Sequence, residues 1–410
     1  MKVIQGGITS VVGIRAAGVY AGIKKEGHKE ATKDIALIVA DSVSPIDQPI
    51  AAGVYTKNRV CAAPVLLCKE HLQQPTTRAI VINSGNANAC TGDQGMHNAK
   101  QMAQVVANKL SISVDEVLVC STGVIGQQLP MEKVETGIIS AAEHLSNNGG
   151  NDVAVAIMTT DTVSKSVSVE IEIDNQTVRI GGTAKGSGMI APNMATMLGF
   201  ITTDVAITPE LLQSSLSEAN EISFNCITVD TDTSTNDTVL VLATGAANHA
   251  KIESATDPNY EVFCKGLTYV CTELAKMIAR DGEGATKLVE ILIENAQTKS
   301  DAIKAGRAVA ESPLVKTAIF ANDANWGRFM MAIGKSGAIF DPYQVDIFVD
   351  DYQIVRNGMN AGYKEETASE HLNSDTIQIR IDLRAGIRTA TFWSCDYSYD
   401  YIRINADYRT

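Results

Sequence analysis

Two hydrophobic periods alternate along this chain, and that alternation limits what it can fold into more than any single motif does. Period two appears at Val167, Val169, Ile171 and Ile173, at Val289, Ile291 and Ile293, and at Ile377, Ile379 and Ile381. Such runs predict strands with one face buried. Elsewhere apolar residues recur at helical spacing: Met96, Ala99, Met102, Val105 and Val106; then Leu267, Val270, Cys271, Leu274, Met277 and Ile278; then the segment 302–311. Thr208-Pro209-Glu210 reads as a cap followed by proline in the first turn of a helix reaching about Glu218. Asp174-Asn175 supplies a turn between two strands, and Arg384-Ala385-Gly386 leads from the strand at 377–381 into another at 389–393. Hairpins beside helices require sheets that are at least partly antiparallel. The expected fold class is α/β, with layered mixed sheets between helices rather than a doubly wound parallel sheet. No repeat or Pro/Ser linker marks a domain boundary.

Composition removes several classes of function. Asp plus Glu outnumber Lys plus Arg by 47 to 34, a formal charge of −13, and aromatic residues are 5% of the 410. A surface of that sign repels phosphate backbones and offers few stacking platforms, so no nucleic-acid partner is expected. Residues 186–203 carry no charge over 18 positions, close to the length of a membrane span. Gly186, Gly188, Pro192, Asn193 and Gly199 break that stretch, which reads as a buried irregular segment and not as a membrane helix. The N-terminal Met-Lys-Val-Ile-Gln-Gly-Gly lacks a basic flank leading into an apolar core, so no signal peptide is expected and the localisation reads as cytoplasmic. Eight cysteines form no CxxC pair and are expected as buried free thiols. Cys61/Cys68 and Cys264/Cys271, each seven apart, share one helix face wherever those segments are helical.

The local motifs are individually weak. Lys185-Gly186-Ser187-Gly188-Met189-Ile190-Ala191 matches the spacing of a dinucleotide fingerprint, with Asp204 downstream. Pro192 falls where the required helix would run, which argues against a nicotinamide cofactor. The six histidines form no metal-binding pair, no G-x-S-x-G elbow occurs, and no metal is expected. An acyl-transfer enzyme built from this sequence needs a base other than histidine. Cys120-Ser121-Thr122-Gly123, after the apolar run 117–119, reads as a strand leaving into a turn that could present a hydroxyl and an N–H together. Thr159-Thr160-Asp161-Thr162 and Thr228-Val229-Asp230-Thr231-Asp232-Thr233 fit either strand threonines or site residues. Residues 83–92, rich in Asn and Gly, read as a loop.

Together, segments 83–92, 121–126, 158–162, 185–198, 224–238, 281–287, 321–328 and 395–410 resemble the ornithine acetyltransferases of arginine biosynthesis, also called glutamate N-acetyltransferases. The resemblance runs nearly end to end. It implies an ornithine acetyltransferase-like fold whose chain cuts itself between Ala195 and Thr196. An α chain, 1–195, and a β chain, 196–410, would stay co-folded and pair as an α2β2 heterotetramer. It implies Thr196 as nucleophile, with its new α-amine as base, and Thr122 and Gly123 as the oxyanion hole. Thr159, Lys185, Thr196, Glu283, Asn405 and Thr410 would bind the substrates N2-acetylornithine and glutamate. Lys185 would meet an α-carboxylate and Glu283 the ornithine δ-ammonium. Glutamate's own side-chain carboxylate should be repelled by Glu283, and either Lys287 or a water would have to relieve that. No cofactor is implied. Acetyl-CoA is a co-substrate in those family members that are bifunctional, and no sequence feature separates the two kinds. A self-processing amidase or aminopeptidase, or a non-catalytic binding protein that stays uncut, are the competing functions.

Overall fold

The computed structural model describes residues 1–24, 32–42, 48–191 and 197–407. Within them, three sheets organise the chain. The first has six strands in the order Lys2–Ile4, Lys165–Ile173, Gln176–Lys185, Leu198–Thr203, Thr238–Ala243, Ile50–Tyr55. The second has four: Ile14–Val19, Ile35–Ala40, Ala79–Asn86 and Val117–Val124. These two sheets pack face to face. Leu198, Phe200, Leu240 and Leu242 from one meet Ile38, Ile80, Ile82 and Leu118 from the other in a dry core.

Helices cover the outer faces. Ala99, Met102 and Val106 of helix Gly92–Leu110 and Val134 and Ile138 of helix Met131–Glu143 close the four-stranded sheet. Phe263, Leu267, Val270 and Leu274 of helix Pro258–Arg280 close the six-stranded one. The result is layered helix, sheet, sheet, helix, as the mixed periodicities predict. Residues on both sides of position 195 share the six-stranded sheet, where Gln176–Lys185 pairs antiparallel with Leu198–Thr203.

The third sheet, of seven strands, belongs to the second half of the chain and packs on the same helix-lined core. Here one sequence expectation fails. Thr376–Asp382 and Arg388–Cys395 do not form a hairpin. Leu288–Ala296 lies between them, parallel to the first and antiparallel to the second. The Asp174-Asn175 turn is as expected, with both residues at positive φ, +50° and +59°.

Helix boundaries follow the sequence signals. Pro209–Glu221 starts after Thr208 and Pro258–Arg280 after Asp257, whose side chain accepts from Asn259 N. Ser312 both ends the run Lys299–Ala310 and caps a further helix, Pro313–Phe320. All eight cysteines are free. Cys90 is exposed, against the expectation of burial, while Cys264 and Cys271 do share one helix. Among the described residues no helix is long and apolar enough to cross a membrane.

Candidate active site

A cleft of about 390 Å³ opens where the parallel strands Ala79–Asn86 and Val117–Val124 end, facing the end of Gln176–Lys185. Its wall contains Thr122, Gly123, Thr159, Lys185, Glu283 and Asn405. Every sequence-predicted site residue within the described residues is therefore in one place. Ala195, Thr196 and Thr410 lie outside the described residues. The residues flanking 192–196 are hydrogen-bonded in place. Ala191 O accepts from Thr233 Oγ1 at 3.2 Å, and Met197 O accepts from Thr238 N at 3.1 Å.

Thr122 and Gly123 do not sit in a turn after a strand, as the sequence suggests; the strand runs on through Val124. Ser84 pairs with Thr122 and Gly85 with Gly123. Gly123 has φ +131°, and a Cβ there would lie 2.3 Å from the Gly85 carbonyl carbon. Only glycine lets the two backbones come that close. The 83–92 segment is likewise a strand as far as Asn86, not a loop. Its asparagines are buried and brace the corner. Asn83 Nδ2 donates to Asn86 O, Ser121 Oγ to Asn83 Oδ1, and Asn88 N to Asn86 Oδ1. Asn236 crosses the gap and donates to both Ala87 O and Ser121 O, at 2.6 and 2.9 Å. The hydroxyl and N–H at 122–123 are thus mounted on a frame that is fully hydrogen-bonded.

Charge is sparse and placed. Lys185 is 7% exposed, and its ammonium has no hydrogen-bond or ion-pair partner among the described residues. Burial lowers its pKa, and the fields of Asp161, Asp237 and Glu283 oppose that. Glu283 is equally buried and accepts from Asn405 Nδ2 at 2.8 Å. Its loop is tied to the glycine-rich segment: Glu283 N donates to Ser187 O, and Ser187 Oγ to Asp281 O. Asp230, also in the wall, accepts from Met189 N and Ile190 N at 2.6 and 2.7 Å, although burial pushes its pKa up.

Gly186 to Ala191 is irregular, with no helix opening there, and Asp204 accepts from Arg179 N instead of facing a ligand. No described histidine lines the cleft. Lys287, the cation the resemblance offers to offset Glu283, turns its ammonium away from the cleft, to Ile319 O and Asn322 Oδ1. Sequence reasoning missed Asn236 and Tyr401 as wall residues and left Asp230 open. The Thr/Asp run at 228–233 carried that signal, but most of it lies beyond the two-residue strand Ile227–Thr228.

Gly188 gives a direct test of this geometry. A Cβ there would fall 2.3 Å from the Glu283 carboxyl carbon. Gly188→Ala should leave the fold intact, because a side-chain end can swing aside, and should move the carboxylate that the cleft displays. The expected result is at least about a tenfold weaker response to a cationic substrate end, read as KM, with an unchanged melting temperature. A substrate response equal to wild type would mean that this carboxylate position is unimportant.

The ArgJ family model matches residues 15–410. The chain belongs to the ArgJ family. It is 50% identical over 410 residues, covering all of both chains, to the arginine biosynthesis bifunctional protein ArgJ of Symbiobacterium thermophilum. It is 47% identical over 414 residues, again covering all of both, to the ArgJ protein of Caldanaerobacter subterraneus subsp. tengcongensis. The crystal structure of ArgJ from Bacillus halodurans is 43% identical, with a TM-score of 0.51 over 52% of this chain and all of that one. Family and fold are those the sequence resemblance implies, and this ArgJ-family chain is an acyltransferase of arginine biosynthesis.

Proposed function

We propose that this protein moves acetyl from N2-acetyl-L-ornithine to L-glutamate by a ping-pong mechanism, after cutting its own chain between Ala195 and Thr196. The observation that carries this reading is the cleft itself. It displays an ammonium at Lys185 with no partner among the described residues, a carboxylate at Glu283, and Thr122 and Gly123 side by side. Those charges match the two ends of an acetylornithine: carboxylate to Lys185, δ-ammonium to Glu283. Thr159, Asn405 and Thr410 complete the substrate contacts in this reading.

Cleavage makes chemical sense of a cleft lined by no described histidine. A threonine hydroxyl is a weak nucleophile until a base removes its proton. A free α-amine, with an ordinary pKa of about 7.7–8.0, can do so near neutral pH. Thr196 Oγ adds to the acetyl carbonyl and its proton passes to the α-amine. Thr122 Oγ–H and Gly123 N–H hold the oxyanion. As the C–N bond breaks, the proton goes to the departing ornithine amine, leaving acetyl on Thr196. Glutamate's neutral amine then attacks that ester, and the same steps in reverse release N-acetylglutamate and the threonine hydroxyl. The word bifunctional in the relatives' names supports a second donor, which we take to be acetyl-CoA. The shared six-stranded sheet supports two cut chains remaining one folded unit, with an α2β2 heterotetramer in the cytoplasm as the working assembly.

Intact mass and N-terminal sequencing of the purified protein test the mechanism. The expected result is a 195-residue and a 215-residue chain, the second starting at Thr196. An uncut chain that is fully active would remove the amine base and the mechanism with it. Glu283→Ala supplies the test of orientation. It should weaken acetylornithine by about tenfold to a hundredfold, the worth of a charged hydrogen bond, and glutamate much less. Equal losses for both substrates would refute the pairing with the δ-ammonium.

A further inference from the structure

We infer that Lys165 is a positioning residue for substrate recognition: buried between Asp161 and Asp281, it satisfies both carboxylates, couples the two halves of the substrate site, and keeps Lys185 free for the substrate carboxylate. The inference rests on the reading that Lys185 and Glu283 receive the two ends of the substrate.

Lys165 is 1% exposed, which is rare for lysine without a dedicated set of acceptors. Its three N–H bonds have three: Asp161 Oδ1 at 2.7 Å, Asp281 Oδ2 at 2.6 Å and Val163 O at 3.3 Å. The Asp161 carboxylate then reaches onward to the cleft wall, and the Asp281 carboxylate to Thr162 beside it. Asp161 accepts from Gly186 N at 2.7 Å, next to Lys185, and from Thr159 N at 3.0 Å. Asp281 accepts from Thr162 N at 3.1 Å and from the Thr162 hydroxyl. Its own backbone oxygen accepts from Ser187, two residues before Glu283. One ammonium thus holds the carboxylate that anchors Thr159 and the backbone beside Lys185, and also the carboxylate of Asp281, two residues before Glu283.

The electrostatics explain why a cation is needed there. Burial favours a neutral Asp161, yet Lys185 and Lys165 together hold its carboxyl down to about 2. Two ammoniums thus compete for one carboxylate, and the geometry gives it to Lys165. Without Lys165, Asp161 and Asp281 become buried charges lacking their shared partner. Lys185 and Lys24 are then the described cations left in the field of Asp161. Pairing there would withdraw Lys185 from the substrate.

The test combines binding with a pH profile. The groups that act on Lys185 are Asp161, Asp237 and Glu283, which favour its charged form, and Lys165 and Lys24, which oppose it. Binding of a substrate carboxylate is lost as pH rises through the pKa of Lys185. Lys165→Met should raise the KM for acetylornithine at least about tenfold with a smaller change in kcat. It should also move the alkaline limb of kcat/KM to higher pH. Asp161→Asn should move that limb the opposite way, and Lys165→Arg should restore much of the affinity. A purely structural role predicts lost stability in these variants without opposed shifts of the limb. If Lys165→Met does not fold, the Asp161→Asn profile decides: a limb shifted down supports the inference, and an unmoved limb overturns it. Wild-type KM and limb in folded Lys165→Met also overturn it. Lys185→Met separates the two levels. A raised KM in that variant keeps the underlying reading even if the Lys165 inference fails, whereas an unchanged KM removes the reading itself.

Discussion

Thr196→Ala should remain a single 410-residue chain and lose acetyl transfer by about 10⁴-fold or more, because one oxygen is lost from both reactions. In the proposed processing, the hydroxyl attacks the Ala195 carbonyl, the peptide C–N bond breaks, and water then cleaves the resulting ester. In the proposed transfer, the same oxygen carries the acetyl group. Thr196→Ser keeps the oxygen and should cut and turn over more slowly, with acetyl on the new N-terminal residue detectable by mass after donor is added without glutamate. Activity near wild type in uncut Thr196→Ala would move the nucleophile elsewhere. Ile190 O accepts from Val229 N at 2.7 Å and from Thr228 Oγ1 at 3.1 Å, so the described chain just before 192–196 is held in place.

How much of this architecture the sequence reveals depends on how its residues are buried. Strand Lys165–Ile173 alternates because its inward and outward positions differ in chemistry, and period two finds it. Leu198–Thr203 and Thr238–Ala243 are buried along their whole length, with a sheet on one face and helices on the other. Strands of that kind carry no alternation and go unassigned. The insertion of Leu288–Ala296 between the two C-terminal strands is invisible for another reason. A turn sequence records local backbone preference, and pairing partners are chosen by long-range packing.

The site divides in a similar way. Lys185 and Glu283 are recognisable because resemblance preserves residue type in order along the chain. Their support is not, since Lys165 and Asp281 are 116 residues apart and Asn236 reaches across to Ala87 and Ser121. The asparagine-rich corner misleads because Asn and Gly ordinarily mark solvent-facing turns. Here buried partners satisfy the amides, and the same residues extend a strand. A lysine opening a period-two strand, four residues after an aspartate, was the available hint of a buried pair.

Thr122→Ala should slow transfer by about 10²- to 10³-fold, the measured worth of one oxyanion donor in other acyl-transfer enzymes. The size follows from preorganisation. Thr122 lies on a strand paired through Ser84, and Asn236 fixes the carbonyl just before it. Nothing needs to reorient as negative charge develops, so the full loss should appear in kcat and not in KM. Self-cleavage forms an oxyanion of the same kind at Ala195, and it should slow as well. Before cleavage, however, Thr196 has no free amine, so the two reactions share the donor and not the base. Raising the pH should therefore speed wild-type transfer through the titration of the new α-amine, near its ordinary 7.7–8.0, while leaving the Thr122→Ala deficit in place. Thr122→Ser keeps the hydroxyl and should recover most of both rates. If Thr122→Ala cut and transferred near normally, the hydroxyl would have no part in holding charge. If transfer alone were slowed, the donor would belong to the mature site and processing would rely on other groups.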